Sequence, residues 1–242
     1  MRFSIIIPAY NEEHFLPRLL DSVEVARATY TRGREAVEII VADNSSTDKT
    51  AELAASRGCR VVRVEKRIIA ATRNGGARAA RGEILCFIDA DSQIHPQTFN
   101  EIDKALAGGR VIGGATGLRL ERKSIGILLA YCMVVPGVWL TGVDAGVVFC
   151  RREDFAAVGG YDESRLYAED VMFLLALRRR GKVKGQSLAR LRNVKALGST
   201  RKFDEFGEWH YFSMISRAGW GLLTGKICDR ELADNYWYNP RR

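Results

Sequence analysis

The sequence predicts an α/β fold: a mostly parallel sheet with flanking helices and a C-terminal helical extension. Two observations carry the prediction. Through residues 3–88, short apolar runs bounded by polar turns alternate with segments of helical period, the pattern of βαβ units with right-handed crossovers. One of those runs, Ile84–Ile88, is apolar throughout, as strands buried on both faces are.

The elements follow in order. Phe3–Pro8 is the first strand and residues 13–29 the first helix. Val37–Ala42 is the second strand, and a helix over 48–58 follows an N-cap cluster, Ser45-Ser46-Thr47, and stops at Gly58. Arg60–Val64 is a third strand, 70–81 a third helix ended by Gly82, and Ile84–Ile88 the fourth strand. Further on, Val171–Arg180 and 203–225 have amphipathic helical patterns. One main domain is expected at 1–202, with halves 1–118 and 119–202, followed by an aromatic and basic extension over 203–242.

Composition narrows the function classes. At 242 residues with 47% hydrophobic content the chain has ample material for a core. Its five cysteines are scattered and form no C-x-x-C, which argues for a reducing compartment and against a disulfide framework or zinc site. Three histidines exclude a histidine-rich metal site. Met1-Arg2 leads directly into the first strand, too short an apolar run for a secretory signal, so a cytoplasmic location is expected. No G-x-G-x-x-G follows that strand and no G-x-x-x-x-G-K-[ST] occurs, leaving dinucleotide and P-loop sites unsupported.

Charge is uneven. Residues 1–175 carry 22 Lys+Arg against 23 Asp+Glu, whereas residues 176–242 carry 15 against 6. A basic last quarter attracts phosphate, on a nucleotide or at the inner face of an anionic membrane. Nucleic acid is not an expected partner, since no recognised module is present.

Three strand ends carry polar groups to one sheet edge, where open α/β sheets bind ligands. The first gives Pro8-Ala9-Tyr10-Asn11-Glu12-Glu13, the second Asp43-Asn44-Ser45-Ser46, the fourth Asp89-Ala90-Asp91. Tyr10 can stack on a base, and Asp43 can accept from base or ribose. In extended chain Asp89 and Asp91 leave the strand on one side and can face one Mg²⁺ or Mn²⁺, hard cations that combine carboxylate with phosphate oxygens. The competing reading is a solvated turn, though a turn alone needs no pair of carboxylates beside a fully apolar run. Arg73 can reach the same pocket.

These segments resemble glycosyltransferase family 2, of the GT-A fold. The resemblance rests on Ser4-Ile5-Ile6-Ile7-Pro8-Ala9-Tyr10-Asn11-Glu12, Val41-Ala42-Asp43-Asn44-Ser45-Ser46-Thr47-Asp48, Thr72-Arg73-Asn74-Gly75-Gly76 and the D-x-D of Asp89–Asp91. It continues through Phe149-Cys150-Arg151-Arg152, Gly159-Gly160-Tyr161-Asp162-Glu163 and Ala168-Glu169-Asp170. It implies a nucleoside-diphosphate sugar donor, a divalent cation (Mn²⁺ or Mg²⁺) and transfer with inversion to a carbohydrate or lipid-linked acceptor. Donor contacts are then expected from Pro8, Ala9, Tyr10, Glu12, Asp43, Arg73, Asp89 and Ala90, and diphosphate contacts from Arg201 and Lys202. The cation falls to Asp91 and Asp89, with Gln93 as a neutral ligand, as in the similar dolichyl-phosphate-mannose synthases. An acceptor hydroxyl loses a proton as it attacks, and Asp170 is the implied base, kept ionised at a helix N-terminus. Glu169 and Asp144 are assigned to the acceptor side. A non-catalytic nucleotide-sugar-binding protein is the alternative; a nucleotidyltransferase would need a Gly-rich first loop that this chain lacks.

Residues 124–143 carry no charge over 20 positions, the length of a membrane span. A span would separate the D-x-D from Asp170 across a bilayer, so it is rejected. The segment is read either as a wall of the acceptor site with room for a lipid or as core. In the tail, Asn235-Tyr236-Trp237-Tyr238-Asn239-Pro240-Arg241-Arg242 mixes aromatics with arginines, as interfacial anchors do; packing on the domain or at a homodimer contact is the other use.

Overall fold

The computed structural model describes residues 1–122, 124–127, 129, 132, 144, 146–165 and 168–207. The expected tail anchor and most of the uncharged segment at 124–143 lie outside the described residues, as does the helix expected over 203–225 beyond Gly207.

In the first half the chain runs β1 (Phe3–Ala9), α1 (Leu16–Thr29), β2 (Val37–Asp43), α2 (Thr50–Ser56), β3 (Arg60–Arg63), α3 (Ile69–Ala79), β4 (Ile84–Phe87) and α4 (Thr98–Ala107). The second half adds β5 (Val111–Leu120), β6 (Val148–Arg151), α5 (Arg152–Ala157), α6 (Glu169–Val183), β7 (Ser187–Gly198) and α7 (Arg201–Phe206). Among the described residues seven strands form one sheet in the order β3-β2-β1-β4-β6-β5-β7. Only β6 runs antiparallel to its neighbours, β4 and β5; the other pairings are parallel. The α/β expectation therefore holds, and every strand expected in the first half is present within a residue. The boundary expected between 118 and 119 falls inside β5, so the two halves share one sheet.

Alternation along β1 divides the core. Phe3, Ile5 and Ile7 face Leu16, Leu19, Leu20 and Val23 of α1, while Ile6 points to the opposite layer, as a period of two requires. That second layer packs Ala70 and Ala77 of α3 and Phe173, Leu174 and Leu177 of α6 on the sheet. Three aromatic rings give it a rigid floor: Tyr161 lies 5.1 Å edge-on to Phe87 and stacks on Phe173 at 4.4 Å.

Register places the polar strand ends side by side. Ala9 lies opposite Asp43, and Ile6 opposite Phe87. The loops after β1 and β2 are laced together: Asn11 Oδ1 accepts the Thr47 N–H at 2.8 Å, Thr50 Oγ1 that of Glu12 at 2.7 Å, and Glu13 Oε2 that of Lys49 at 3.0 Å. The expected cap therefore has a different form. Asp48 accepts the Thr50 N–H at 3.0 Å, and Ser46 instead accepts from Asn11 N–H at 3.0 Å.

Helix α3 meets the sheet through Gly76, where a Cβ would stand 2.5 Å from Ile6 Cγ2 and 3.3 Å from Ala42 Cβ. Ile6 is fully buried and β-branched, so it yields little. Gly76→Ala is expected to destabilise the protein by about 1–3 kcal/mol, the range for overpacked cores, with the loss read as a lower denaturation midpoint at unchanged slope. An unchanged midpoint would show that α3 has room to shift.

Candidate functional site

Arg73 is the centre of the site. Its side chain is only 3% exposed, and a buried guanidinium needs anionic partners. Three provide them. Nη2 donates to Asp89 Oδ1 at 2.7 Å, and Nη1 donates to Glu169 Oε1 at 2.7 Å and lies 2.7 Å from Asp170 Oδ1. The guanidinium carbon stands 5.2 Å over the Tyr161 ring, a cation–π geometry. One arginine on α3 thus joins the turn after β4 to the first turn of α6.

The same loops hold the frame around it. Asn74 Nδ2 donates to the Tyr161 carbonyl at 2.9 Å, and its Oδ1 accepts the Tyr161 N–H at 2.9 Å. Three non-glycine residues among those described have positive φ: Asn11 at 53°, Ser45 at 61° and Ala168 at 57°. All three stand in site loops, after β1, after β2 and just before Glu169. Strained backbone of this kind gathers where a fold positions functional groups; nothing in the residue type announced it at Ala168.

One charged carboxylate per cation would balance, but Arg73 faces three. Burial pushes the Glu169 carboxyl up to about 7, against Arg73 and with help from Asp170. Burial also raises the Asp170 carboxyl from its ordinary value, again opposed by Arg73 and reinforced by Asp89. Removal from water thus works against the helix N-terminus expected to keep Asp170 ionised.

A small cleft opens beside this cluster, lined by Arg73, Asp89, Ser92, Leu118, Gly146 and Asp170 among others. Gly146 is needed there, because a Cβ would stand 2.3 Å from Thr116 Oγ1 and 2.5 Å from the Gly117 carbonyl oxygen. Sequence reading did not single out Gly146 or Ser92.

The D-x-D differs from its expected form. Strand β4 ends at Phe87, and Asp89 to Ser92 form a turn in which the Ser92 N–H donates to the Asp89 carbonyl at 3.1 Å. Alternation along an extended strand is therefore not what positions the two carboxylates. Asp89 is 54% exposed and pairs with Arg73; Asp91 pairs with Arg201, whose Nε lies 3.1 Å from Oδ2. Arg201 also grips Glu12 in a bidentate pair at 2.7 and 2.5 Å and lies 4.6 Å over the Phe15 ring. The start of α7 is thereby tied to the end of β1.

The other expected residues divide. Pro8 and Ala9 end β1 beside Asp43, whose Oδ1 accepts the Ser46 N–H at 3.2 Å. Tyr10 is half-buried under the Arg67 guanidinium, 5.2 Å from the ring centroid. Ala90 is buried in the core, and Lys202 lies in α7 with only its backbone described. The structure does not bring Gln93 to the two aspartates. Its backbone bridges Leu197 at 2.8 and 2.9 Å, and its side chain lines a separate surface groove with Arg18 and Ser22. Glu169 is buried against Arg73, while Asp144 lies 3.4 Å from Arg190 of β7. Among the described residues no three His, Cys, Asp or Glu gather as a metal cluster.

Comparison with known proteins places this geometry in context. Residues 4–122 match the family model described as glycosyl transferase family 2. The undecaprenyl-phosphate 4-deoxy-4-formamido-L-arabinose transferase of Pseudomonas paraeruginosa is 38% identical over 123 residues, 46% of this chain and 34% of that protein. The chain thus spans about a third of that relative's length. A Pyrobaculum calidifontis mannosyltransferase solved with GDP-Man and Mn²⁺ superposes at TM-score 0.65 and 20% identity, over 89% of this chain and 64% of that one. The Mycobacterium tuberculosis glucosyl-3-phosphoglycerate synthase, solved with Mn²⁺, UDP and glucosyl-3-phosphoglycerate, gives 0.60 and 22%, over 90% and 80%. The fold is the GT-A fold that the motifs implied.

The Glu169 carboxyl binds its proton more tightly in the folded protein than its ordinary value of 4.5. Stability from that proton is full at low pH and is lost as pH rises through about 7. Relative to Glu169→Gln, the native protein is expected to lose stability between about pH 5 and pH 8 in denaturant titrations. Parallel pH profiles for the two proteins would show that Glu169 is already ionised when folded.

Proposed function

The chain belongs to glycosyltransferase family 2 through residues 4–122, and from that premise we propose that it moves a sugar from a nucleoside-diphosphate donor to a hydroxyl or phosphate acceptor. The observation that carries the reading is the link through Arg73: the D-x-D carboxylate Asp89 and the half-buried carboxylate Asp170 touch one guanidinium and line one cleft. A donor's diphosphate and an acceptor's attacking oxygen must meet beside such groups.

Tyr10 and Asp43 hold the nucleoside end. Asp89 and Asp91 supply the hard oxygen donors that Mg²⁺ and Mn²⁺ prefer, and two carboxylates suit a cation that completes its shell with phosphate oxygens. Such a cation, when bound, neutralises the charge that develops on the departing diphosphate. Arg201 stands beside Asp91 as a further positive group for that charge. Asp170 faces the cleft with 31% of its side chain exposed and takes the acceptor's proton; a carboxyl raised by burial is a stronger base than one in water. Direct displacement by that oxygen inverts the anomeric centre.

The Mn²⁺, UDP and GDP-Man complexes of the two structural neighbours support a cation and a nucleotide donor. The undecaprenyl-phosphate named in the bacterial relative supports a lipid-linked phosphate as acceptor. No helix among the described residues is long and apolar enough to cross a membrane. For contact with a lipid substrate we propose peripheral attachment through the basic last quarter; flotation with anionic vesicles is then expected at low salt and lost at high salt.

A thermal-shift panel of UDP-, GDP-, CDP- and dTDP-sugars with and without Mn²⁺ identifies the donor, because a ligand of the folded state alone raises the melting temperature. With that donor, Asp91→Ala is expected to abolish the Mn²⁺-dependent part of binding in calorimetry. Asp170→Asn is expected to keep donor affinity and lower turnover by about 10²–10⁴-fold, the usual contribution of a general base. Near-native turnover in Asp170→Asn would move the base elsewhere.

A further inference from the structure

Tyr161 belongs to no described strand or helix, yet it is only 2% exposed. Asn74 of α3 takes both of its backbone groups, and its ring meets Phe87 edge-on, stacks on Phe173 and lies 5.2 Å beneath the Arg73 guanidinium carbon. The ring accounts for all of this, and a phenylalanine would fill the place as well. The hydroxyl is what packing does not explain. A buried phenol normally finds a hydrogen-bond partner, but among the described residues this one makes no well-formed bond. Asp170 Oδ1 is in the same position: it is shut off from solvent, lies 2.7 Å from Arg73 Nη1 and has no well-aligned donor. The two groups act on each other. Burial pushes the phenol well above its ordinary value, and the Asp170 charge pushes it further. Burial raises the Asp170 carboxyl, and both Arg73 and the Tyr161 hydroxyl oppose that rise.

We propose that Tyr161 is a positioning residue for Asp170: its hydroxyl donates to Oδ1 and leaves Oδ2 turned toward the acceptor. The proposal rests on the reading of Asp170 as the base. The direction of the bond is fixed by chemistry, since an ionised carboxylate only accepts and the phenol has a proton to give. Oδ1 is shut off from solvent, whereas the Asp170 side chain as a whole is 31% exposed and lines the cleft. The oxygen that can meet an acceptor is therefore Oδ2. A carboxylate held through one oxygen by one ion pair can still turn about that oxygen. Arg73, moreover, divides its donors among Asp170, Asp89 and Glu169. A second donor at Oδ1, carried by a ring wedged between Phe87 and Phe173, fixes the plane of the carboxylate. Base catalysis depends on that placement, because the proton moves only between groups within hydrogen-bond reach. Tyr161 acts through Asp170 alone and touches no reacting atom.

Tyr161→Phe removes the hydroxyl and keeps the ring. The assay uses the full chain, Mn²⁺, the nucleotide sugar that raises the melting temperature most and water as acceptor, and follows release of the nucleoside diphosphate. Tyr161→Phe is expected to lower kcat about tenfold, the factor for one well-placed hydrogen bond, and to leave the donor KM within about twofold. In an Asp170→Asn background the same substitution is expected to change kcat by less than about twofold, because residues that act as one unit are not additive. Phe155→Leu is the packing control: Phe155 stands 6.1 Å from the Tyr161 ring and 5.4 Å from Phe173, and its loss is expected to lower the melting temperature and leave kcat in place. A spectroscopic readout needs no turnover. The Cζ resonance of Tyr161 in ¹³C-tyrosine-labelled protein, identified by its loss in Tyr161→Phe, is expected to shift in Asp170→Asn. An unmoved resonance, native kcat in Tyr161→Phe, additive losses in the double variant, or an equal loss in Phe155→Leu would overturn the proposal. A Tyr161→Phe protein that does not fold would make the hydroxyl a stabilising group and overturn it too. Native turnover in Asp170→Asn, or a protein that binds none of the nucleotide sugars, would instead remove the functional reading and this inference with it.

Discussion

A buried cation can survive in a protein only where the fold surrounds it with anions, and here that cation is Arg73. Helix α3 carries it, the Tyr161 ring lies beneath it, and carboxylates from two other segments close on it. Each of those segments is otherwise a loop or the start of a helix, free to lie in several ways. The guanidinium's fixed fork of donors selects one arrangement. Breaking such a cluster by removing its cation strands buried carboxylates, which costs far more than the intact cluster contributes. The geometry of the cleft is therefore set by an electrostatic demand that arises in the second core layer.

The other side of the site is held by neutral hydrogen bonds. Loops after β1 and β2 exchange side-chain and backbone partners through Asn11, Ser46, Thr47 and Thr50, and this lacing fixes Tyr10 next to Asp43. Parallel register makes the exchange available, since Ala9 and Asp43 leave adjacent strands at the same height. Arg201 then connects this neutral half to the D-x-D by holding Glu12 and Asp91 together. Two arginines, one from each half of the sequence, thus bind the site into a single unit.

Much of this was legible in the residues. Apolar runs and turn signals gave the strands to within a residue, because a strand buried on both faces has little choice of composition. The convergence of Tyr10, Asp43, Asp89 and Asp91 followed from parallel topology alone. What was illegible depended on distance through space. Burial decides that Asp170 is raised and not lowered, and no local pattern states how deep a helix N-terminus lies. Gln93 kept its place in the spacing but turns into a bridge with Leu197, a partner more than a hundred positions away. Arg67 looked like any loop arginine until the fold set it above Tyr10.

The charge balance of the site bears on the proposed donor. Six carboxylates, those of Glu12, Asp43, Asp89, Asp91, Glu169 and Asp170, stand around three guanidinium groups, those of Arg67, Arg73 and Arg201. With every group ionised the site is a net acid, and a diphosphate would meet repulsion there. Two features offset it. Burial pushes the Glu169 carboxyl up to about 7, so that it holds its proton over part of the neutral range and removes negative charge there. A divalent cation at Asp89 and Asp91 would supply the remainder at the point where the phosphates lie, and would free Arg201 from Asp91 to face the same phosphates. On the proposed reading, cation and donor therefore enter as a neutral pair, and the ion pairs that Arg73 and Arg201 make with the D-x-D stand in for them when neither is bound.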